Sequence, residues 1–338
     1  MEFRNDLQLY GKLAAHRVGY VAGQLELTSK CAQRCAMCES WRDDRTGVVR
    51  GELELETVLD VFNQLNAMPT FEHLALTGGD PQSWPNLLHL LKNYGYGNFR
   101  FALQLNTALC FDDDWELWRR TVRDVRVSLD GATPETYYAM RGDKRDPKEI
   151  VERIKRMNHP RVATNTCVTS RNIDEVPKII ELLEGAGLRK AMFLAVIGPR
   201  DSRRNDEDFW KKYDKLKELQ HFGELRSSFA EDVVEVRQFC ASEEAKPVPC
   251  YAGAISFHIK CNGDVYPCCL VGGEALTTDK DFCIGNIKTN TLSVIQQRYR
   301  PACHYANPKS PCVSKCQWKQ LQINRIAHEA SKTMMAMP

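Results

Sequence analysis

The stretch TSKCAQRCAMCESW, residues 28–41, places cysteines at 31, 35 and 38, with three residues and then two between them. It follows directly on YVAGQLELT (20–28), a run that reads as a β-strand. Protein thiolates usually close around zinc or an iron–sulfur cluster in fours. Three on one loop either recruit a distant fourth cysteine or leave one metal position open. A cubane held by three thiolates keeps its fourth iron for a small molecule instead of the protein. Both readings are open on spacing alone.

Working outward, strand-like and helix-like segments alternate to about residue 196. The strand runs after the first are HLALTG (73–78), FRFALQLN (99–106), DVRVSLD (124–130), VATNTCVT (162–169) and KAMFLAVIG (190–198). Between them, LELETVLDVFNQLNAM, WPNLLHLLKNYG, DDDWELWRRTV, PKEIVERIKRMN and IDEVPKIIELLEGAG read as helices, the last with apolar residues at helical spacing and a glycine stop. Strands alternating with helices predict a parallel α/β sheet. Six such units, not eight, predict a partial (β/α)6 TIM-like barrel over residues 19–200, behind an N-terminal segment 1–18. Residues 201–247 read as a helical linker, because DSRRNDEDFWKKYDKLKELQ is a charged helix and ASEEAKPVPC a connector. A cysteine-rich domain follows at 248–318. Within it, ISFHIKCNGDVYPCC resembles a hairpin turning at Asn262–Gly263. Residues 319–338 predict a helix and a tail.

The 338 residues are 43% hydrophobic and 27% charged, with a net charge of +2, an ordinary balance that argues against bulk electrostatic attachment to nucleic acid. No run approaches the roughly 18 apolar residues of a membrane helix, and the N-terminus is too charged for a secretory signal. The expected setting is cytoplasmic and off the membrane, where disulfides are rare. The 14 cysteines are uneven: three in the opening motif, then Cys250, Cys261, Cys268, Cys269, Cys283, Cys303, Cys312 and Cys316, with Cys110, Cys167 and Cys240 between. The isolated three read as buried small hydrophobes; the two clusters read as metal ligands.

Cys31, Cys35 and Cys38 match the CxxxCxxC motif of the radical S-adenosylmethionine (radical SAM) superfamily. LTGGDP (76–81) resembles the family's GGE-P segment, with Asp80 where Glu is commoner. LQLNT, VRVSLDGATPETYYAMRG (125–142) and VTSRNIDEV resemble its later strand ends, in the right order. The resemblance implies a [4Fe-4S] cluster on Cys31, Cys35 and Cys38, with S-adenosyl-L-methionine chelating the open iron. Reductive cleavage then yields a 5′-deoxyadenosyl radical that takes a hydrogen atom from the substrate. It implies that Gly78 and Gly79 let backbone approach the ligand, and that Asp80 accepts from the methionine ammonium. Asn106 and Ser128 would meet its carboxylate or ribose, and Met37 would pack near adenine. Arg141 is read either as a carboxylate partner or as a surface ion pair.

The C-terminal region resembles the SPASM/twitch extension of this superfamily: Cys250 through Gly263 to Cys268, GNI at 285–287, and CVSKC at 312–316. The pattern is depleted relative to a full SPASM domain. It implies the smaller arrangement, with one auxiliary [4Fe-4S] cluster on Cys250, Cys268, Cys312 and Cys316. Cys261, Cys269, Cys283 and Cys303 are left over, enough for a second cluster. Cys269 follows a ligand directly, where sulfatase-maturing relatives carry a catalytic Asp. It is read as a hydrogen-atom donor or base, or else as a strand residue facing the local core. The implied function is oxidation or rearrangement of a small-molecule or nucleotide-type substrate, fed by an electron donor such as flavodoxin or ferredoxin. Modification of a nucleobase in DNA or RNA, or of a peptide, is an alternative. With some twenty residues before the first strand, no leader-binding domain is expected. A zinc-containing binding module is the alternative from another class.

Overall fold

The structure, a computed structural model, describes residues 7–38, 49–94, 99–195, 207–229, 248–269, 282–301 and 318–335. Helix α1 (Leu7–His16) precedes β1 (Ala22–Thr28). There follow α2 (Leu55–Asn66), β2 (His73–Gly78), α3 (Leu87–Tyr94), β3 (Ala102–Thr107), α4 (Trp115–Thr121) and β4 (Asp124–Ser128). Two helices, α5 (Pro134–Arg141) and α6 (Pro147–Met157), lead to β5 (Val162–Val168), then α7 (Val176–Gly185) and β6 (Lys190–Ala195). These are the six β/α units that the alternation predicts.

Local chemistry explains the boundaries. Asp114 caps α4 by accepting from Leu117 N, and Asp146 caps α6 through Lys148 N with Pro147 in the first turn. The sequence reading passed over α5, a helix of only 8 residues. Its signals are nonetheless local: Thr133 accepts from Thr136 N, Pro134 opens the helix, and Gly142 closes it in the left-handed conformation at φ 63°. Along β3 and β4, alternate residues face the helical shell, and Leu103, Leu105, Val125 and Val127 are buried there. Their neighbours Gln104, Asn106, Arg126 and Ser128 are only half-buried.

The segment expected to be a purely helical linker holds α8 (Glu207–Leu216), but also a hairpin of β7 (His221–Phe222) and β8 (Leu225–Phe229). Strand β8 pairs in parallel with β6. Buried Leu225, Ser227 and Phe229 alternate with exposed Arg226 and Ser228, a pattern too short and polar to stand out beside a charged helix. At the other edge, a helical turn α9 (Ala252–Ile255) leads into β9 (Ser256–Ile259), which pairs in parallel with β1. Strand β10 (Asp264–Tyr266) returns antiparallel to β9, and β11 (Gly285–Asn286) pairs with β10. The Asn262–Gly263 turn is where the sequence places it, and Asp264 N donates to Asn262 Oδ1 at 3.0 Å.

The result is one sheet ordered β11-β10-β9-β1-β2-β3-β4-β5-β6-β8-β7. The cysteine-rich hairpin thus extends the barrel wall directly. His258 on β9 meets Gln24 and Glu26 on β1 at 3.2 and 2.9 Å, and Phe257 packs edge-on to Tyr20. Helix α10 (Leu292–Arg298) is capped by Thr291. The last helix, α11 (Trp318–Met335), packs on α1.

Candidate active site

The C-terminal ends of parallel strands are where α/β barrels place their chemistry. A cavity of about 560 Å³ opens there. Cys31, Cys35 and Cys38 line it, together with Met37, Gly78, Gly79, Asn106, Ser128 and Arg141. These come from the β1 loop, from β2, β3 and β4, and from the end of α5. Of the residues singled out for this end of the barrel, only Asp80 is not part of the wall.

The cysteine loop is held by backbone hydrogen bonds. Gly79 N donates to Thr28 O and Asp80 N to Lys30 O, both at 2.8 Å. Arg34 N and Ala36 N donate to Arg141 O and Met140 O at the end of α5, at 3.0 and 2.8 Å. These contacts explain the glycine pair. A Cβ on Gly78, whose φ is +136°, would lie 2.3 Å from Thr28 O, and one on Gly79 would lie 2.2 Å from Lys30 O. The glycines make room first for the loop that carries the thiols.

Asp80 turns away from the cavity. It is 1% exposed, and its carboxylate accepts from Gln82 N, Thr107 Oγ1 and Ala108 N at 3.0, 3.1 and 3.0 Å. The shorter side chain therefore clamps the end of β3. Asn106 Oδ1 accepts from Gln104 Nε2 at 2.8 Å, which leaves the Asn106 amide N–H groups as donors for a ligand. Arg141 forms an ion pair, but a buried one: its Nε lies 2.7 Å from Asp130 Oδ2, and its Nη1 donates to Cys35 Sγ at 3.1 Å.

Sequence reading missed Asp130, Asn165 and Cys167. Asn165 and Cys167 are alternate residues of β5 and both line the cavity, with Asn165 in register with Ser128. Counting inward-facing positions along each strand would have found them. Asp130 is fully buried and accepts from Cys167 N at 2.7 Å.

Burial pushes the Cys31 thiol up to about 11, despite a hydrogen bond from Gln33 N that pulls the other way. Burial also raises Cys35, against the opposing charge of Arg141. Such thiols become ligands only when a metal displaces their protons. Among the described residues, no group of three or more His, Cys, Asp or Glu side chains is arranged to hold a single metal ion. Three thiols on the wall of one cavity are the donor type that holds an iron–sulfur cluster. The Asn165 side-chain oxygen is buried without a hydrogen-bond partner and lies in the same wall, which fits a polar ligand beside that cluster.

At the sheet's other edge, Cys250 precedes α9 and Cys268 follows β10, one flanking each side of the hairpin. Tyr299 donates to Cys250 O at 2.7 Å, and burial raises its hydroxyl pKa, with the Cys250 and Cys268 charges adding to the effect. Cys268 and Cys283 both pack on Tyr266 and Phe282. Cys261 lies elsewhere, with its Sγ 3.9 Å from Val49 O. Cys269 is half-buried beside Cys268 and is not part of the barrel cavity's wall. Cys303, Cys312 and Cys316 lie outside the described residues.

The model of the radical SAM superfamily matches residues 25–183, and that of an iron–sulfur cluster-binding domain, SPASM, matches 250–319. An AdoMet-dependent heme synthase of Methanosarcina barkeri is 26% identical over 222 residues, covering 64% of this chain and 60% of that protein. A GTP 3′,8-cyclase of Ectopseudomonas mendocina is 29% identical over 181 residues, covering 51% and 52%. The alignments thus span little more than half the length of these relatives. Among solved structures, Streptococcus suis SuiB bound to its precursor peptide SuiA superposes with a TM-score of 0.64 at 13% identity, covering 90% of this chain and 70% of that one. The enzyme anSMEcpe with bound AdoMet superposes at 0.58 and 17% identity, covering 94% and 98%. At these identities the structures speak to the fold alone. The two family models together cover more than half of the chain, on the same strands and cysteines that build the cavity and the hairpin. This chain belongs to the radical SAM superfamily and carries a C-terminal SPASM domain, a pairing that implies a [4Fe-4S] cluster in the barrel and auxiliary iron–sulfur clusters beyond it.

Proposed function

We propose that the chain is an enzyme that cleaves S-adenosylmethionine reductively and removes a hydrogen atom from a small-molecule or nucleotide-type substrate, for oxidation or rearrangement. The observation that supports this most is the meeting of Cys31, Cys35 and Cys38 with the β2, β3 and β4 ends in one cavity of about 560 Å³. When bound, the cluster supplies the electron that splits the sulfonium into methionine and a 5′-deoxyadenosyl radical. The chain's own part is to bind, orient and exclude water. Asn106 presents N–H donors to the methionine carboxylate, and Ser128 and Asn165 offer polar contacts to the carboxylate or ribose. Met37 and Leu194 supply apolar wall beside adenine. Gly78 and Gly79 leave the methionine end free of side chains.

The two curated relatives are, by name, a heme synthase and a GTP 3′,8-cyclase, which supports a small-molecule or nucleotide-type substrate over a peptide. The reductant is a small electron-transfer protein such as flavodoxin or ferredoxin. Cys250 and Cys268, with Cys312 and Cys316, are the proposed auxiliary ligands. Cys269 is the proposed hydrogen-atom donor or base at that end. Anaerobic enzyme given a chemical reductant and S-adenosylmethionine should release 5′-deoxyadenosine. The variant with alanine at 31, 35 and 38 should release none, and unchanged release by that variant would overturn the assignment. Transfer of deuterium from labelled candidate substrates into 5′-deoxyadenosine identifies the substrate class.

A further inference from the structure

Arg141 is placed between two negative partners. Its Nη1 donates to Cys35 Sγ at 3.1 Å and its Nε lies 2.7 Å from Asp130 Oδ2. The Cys35 sulfur here stands for the thiolate that would bind iron. Asp130 is fully buried and the Arg141 side chain is 12% exposed. Asp130 is in turn fixed by Cys167 N on β5, and Asn172 Nδ2 donates to its backbone carbonyl at 2.9 Å. Arg141 is the last residue of α5, and its carbonyl accepts from Arg34 N in the cysteine loop. The backbone from which the guanidinium extends is therefore tied to the cysteine loop.

We infer that Arg141 and Asp130 form a matched pair that sets the reduction potential of the barrel cluster, Arg141 raising it and Asp130 holding it back. This rests on the reading that Cys35 is a ligand of that cluster. Reduction adds one negative charge to the cluster. A cation that donates a hydrogen bond to a ligand sulfur stabilises the added charge, so the potential rises. A buried carboxylate close by acts in the opposite sense, and in a water-poor site both effects carry further than they would at the surface. The carboxylate also keeps the arginine charged. Arg141 thus acts as a positioning and charge-setting residue through Cys35.

The test is an EPR-monitored redox titration of the full-length, reconstituted enzyme. The barrel cluster is identified as the signal lost when Cys31, Cys35 and Cys38 are all alanine. If no signal is lost there, the functional reading fails and the tuning question does not arise. If it is lost, Arg141→Gln should move that midpoint to more negative potential and Asp130→Asn should move it to more positive potential. The auxiliary signal should stay in place in both. Opposite shifts support the pairing, because a merely structural role would disturb both variants in the same sense. Unchanged midpoints, or shifts of the same sign, overturn it. Should Arg141→Gln lose iron by leaving Asp130 buried and unpaired, Asp130→Asn decides alone. That variant is isosteric and keeps an acceptor for Cys167 N, and a positive shift supports the proposal while no shift or a negative one overturns it.

Discussion

The backbone N–H of Asp80 donates to the carbonyl of Lys30 at 2.8 Å, which fastens the segment after β2 to the residue directly before Cys31. Gly79 sits inside that junction, where a Cβ would lie 2.2 Å from the same carbonyl oxygen. Backbone cannot swing aside as a side chain can. Gly79→Ala should therefore lower stability by about 1–3 kcal/mol and reduce iron retained per chain after reconstitution. Denaturant unfolding and iron analysis on the same samples check both.

Asp80 behaves as a structural clamp. Removing its carboxylate strands the buried N–H of Ala108 and the N–H of Gln82. Asp80→Ala should cost about 2–3 kcal/mol, and Asp80→Asn less, since the amide keeps one acceptor. Urea midpoints at constant slope would show this. Equal stability of the alanine variant and the parent would contradict the geometry.

With both proposed sites filled, reconstituted protein should hold about eight iron atoms per chain, as two four-iron clusters. Replacing Cys250 and Cys268 with alanine should bring this to about four and leave S-adenosylmethionine cleavage measurable. About twelve in the parent would show that Cys261, Cys269, Cys283 and Cys303 serve a further cluster.

His73, at the start of β2, supplies a pH prediction. Burial, with Arg123 and Arg126 nearby, lowers its pKa to about 4, although Asp124 pulls upward. In the unfolded chain it takes a proton near the ordinary value of 6.5. Between those values the unfolded state binds more protons, so stability is full above pH 6.5 and falls as the pH drops towards 4. The loss is at most about 3 kcal/mol. His73→Gln should flatten that part of the stability–pH curve. An unchanged slope between pH 6.5 and 4 would assign the acid sensitivity to other groups.

Several features were legible in the sequence because their causes are local. The Cys31–Cys35–Cys38 spacing, the helical and strand periodicities and the Asn262–Gly263 turn each involve residues a few positions apart. Together they specify six β/α units, a three-thiol loop after β1 and a cysteine-flanked hairpin. The family resemblance added the cofactor pair.

Tertiary structure alone decided the rest. Strands β8 and β9 join the parallel sheet because the edges of β6 and β1 offer unpaired backbone groups, which no window of sequence displays. Asp80 turns to Ala108 because the end of β3 brings that N–H within reach, 28 positions away. Arg141 meets Cys35 across 106 residues because α5 returns its last turn to the cysteine loop. At that depth the guanidinium needs Asp130 at its other side, since a charge removed from water is stable only when it is paired.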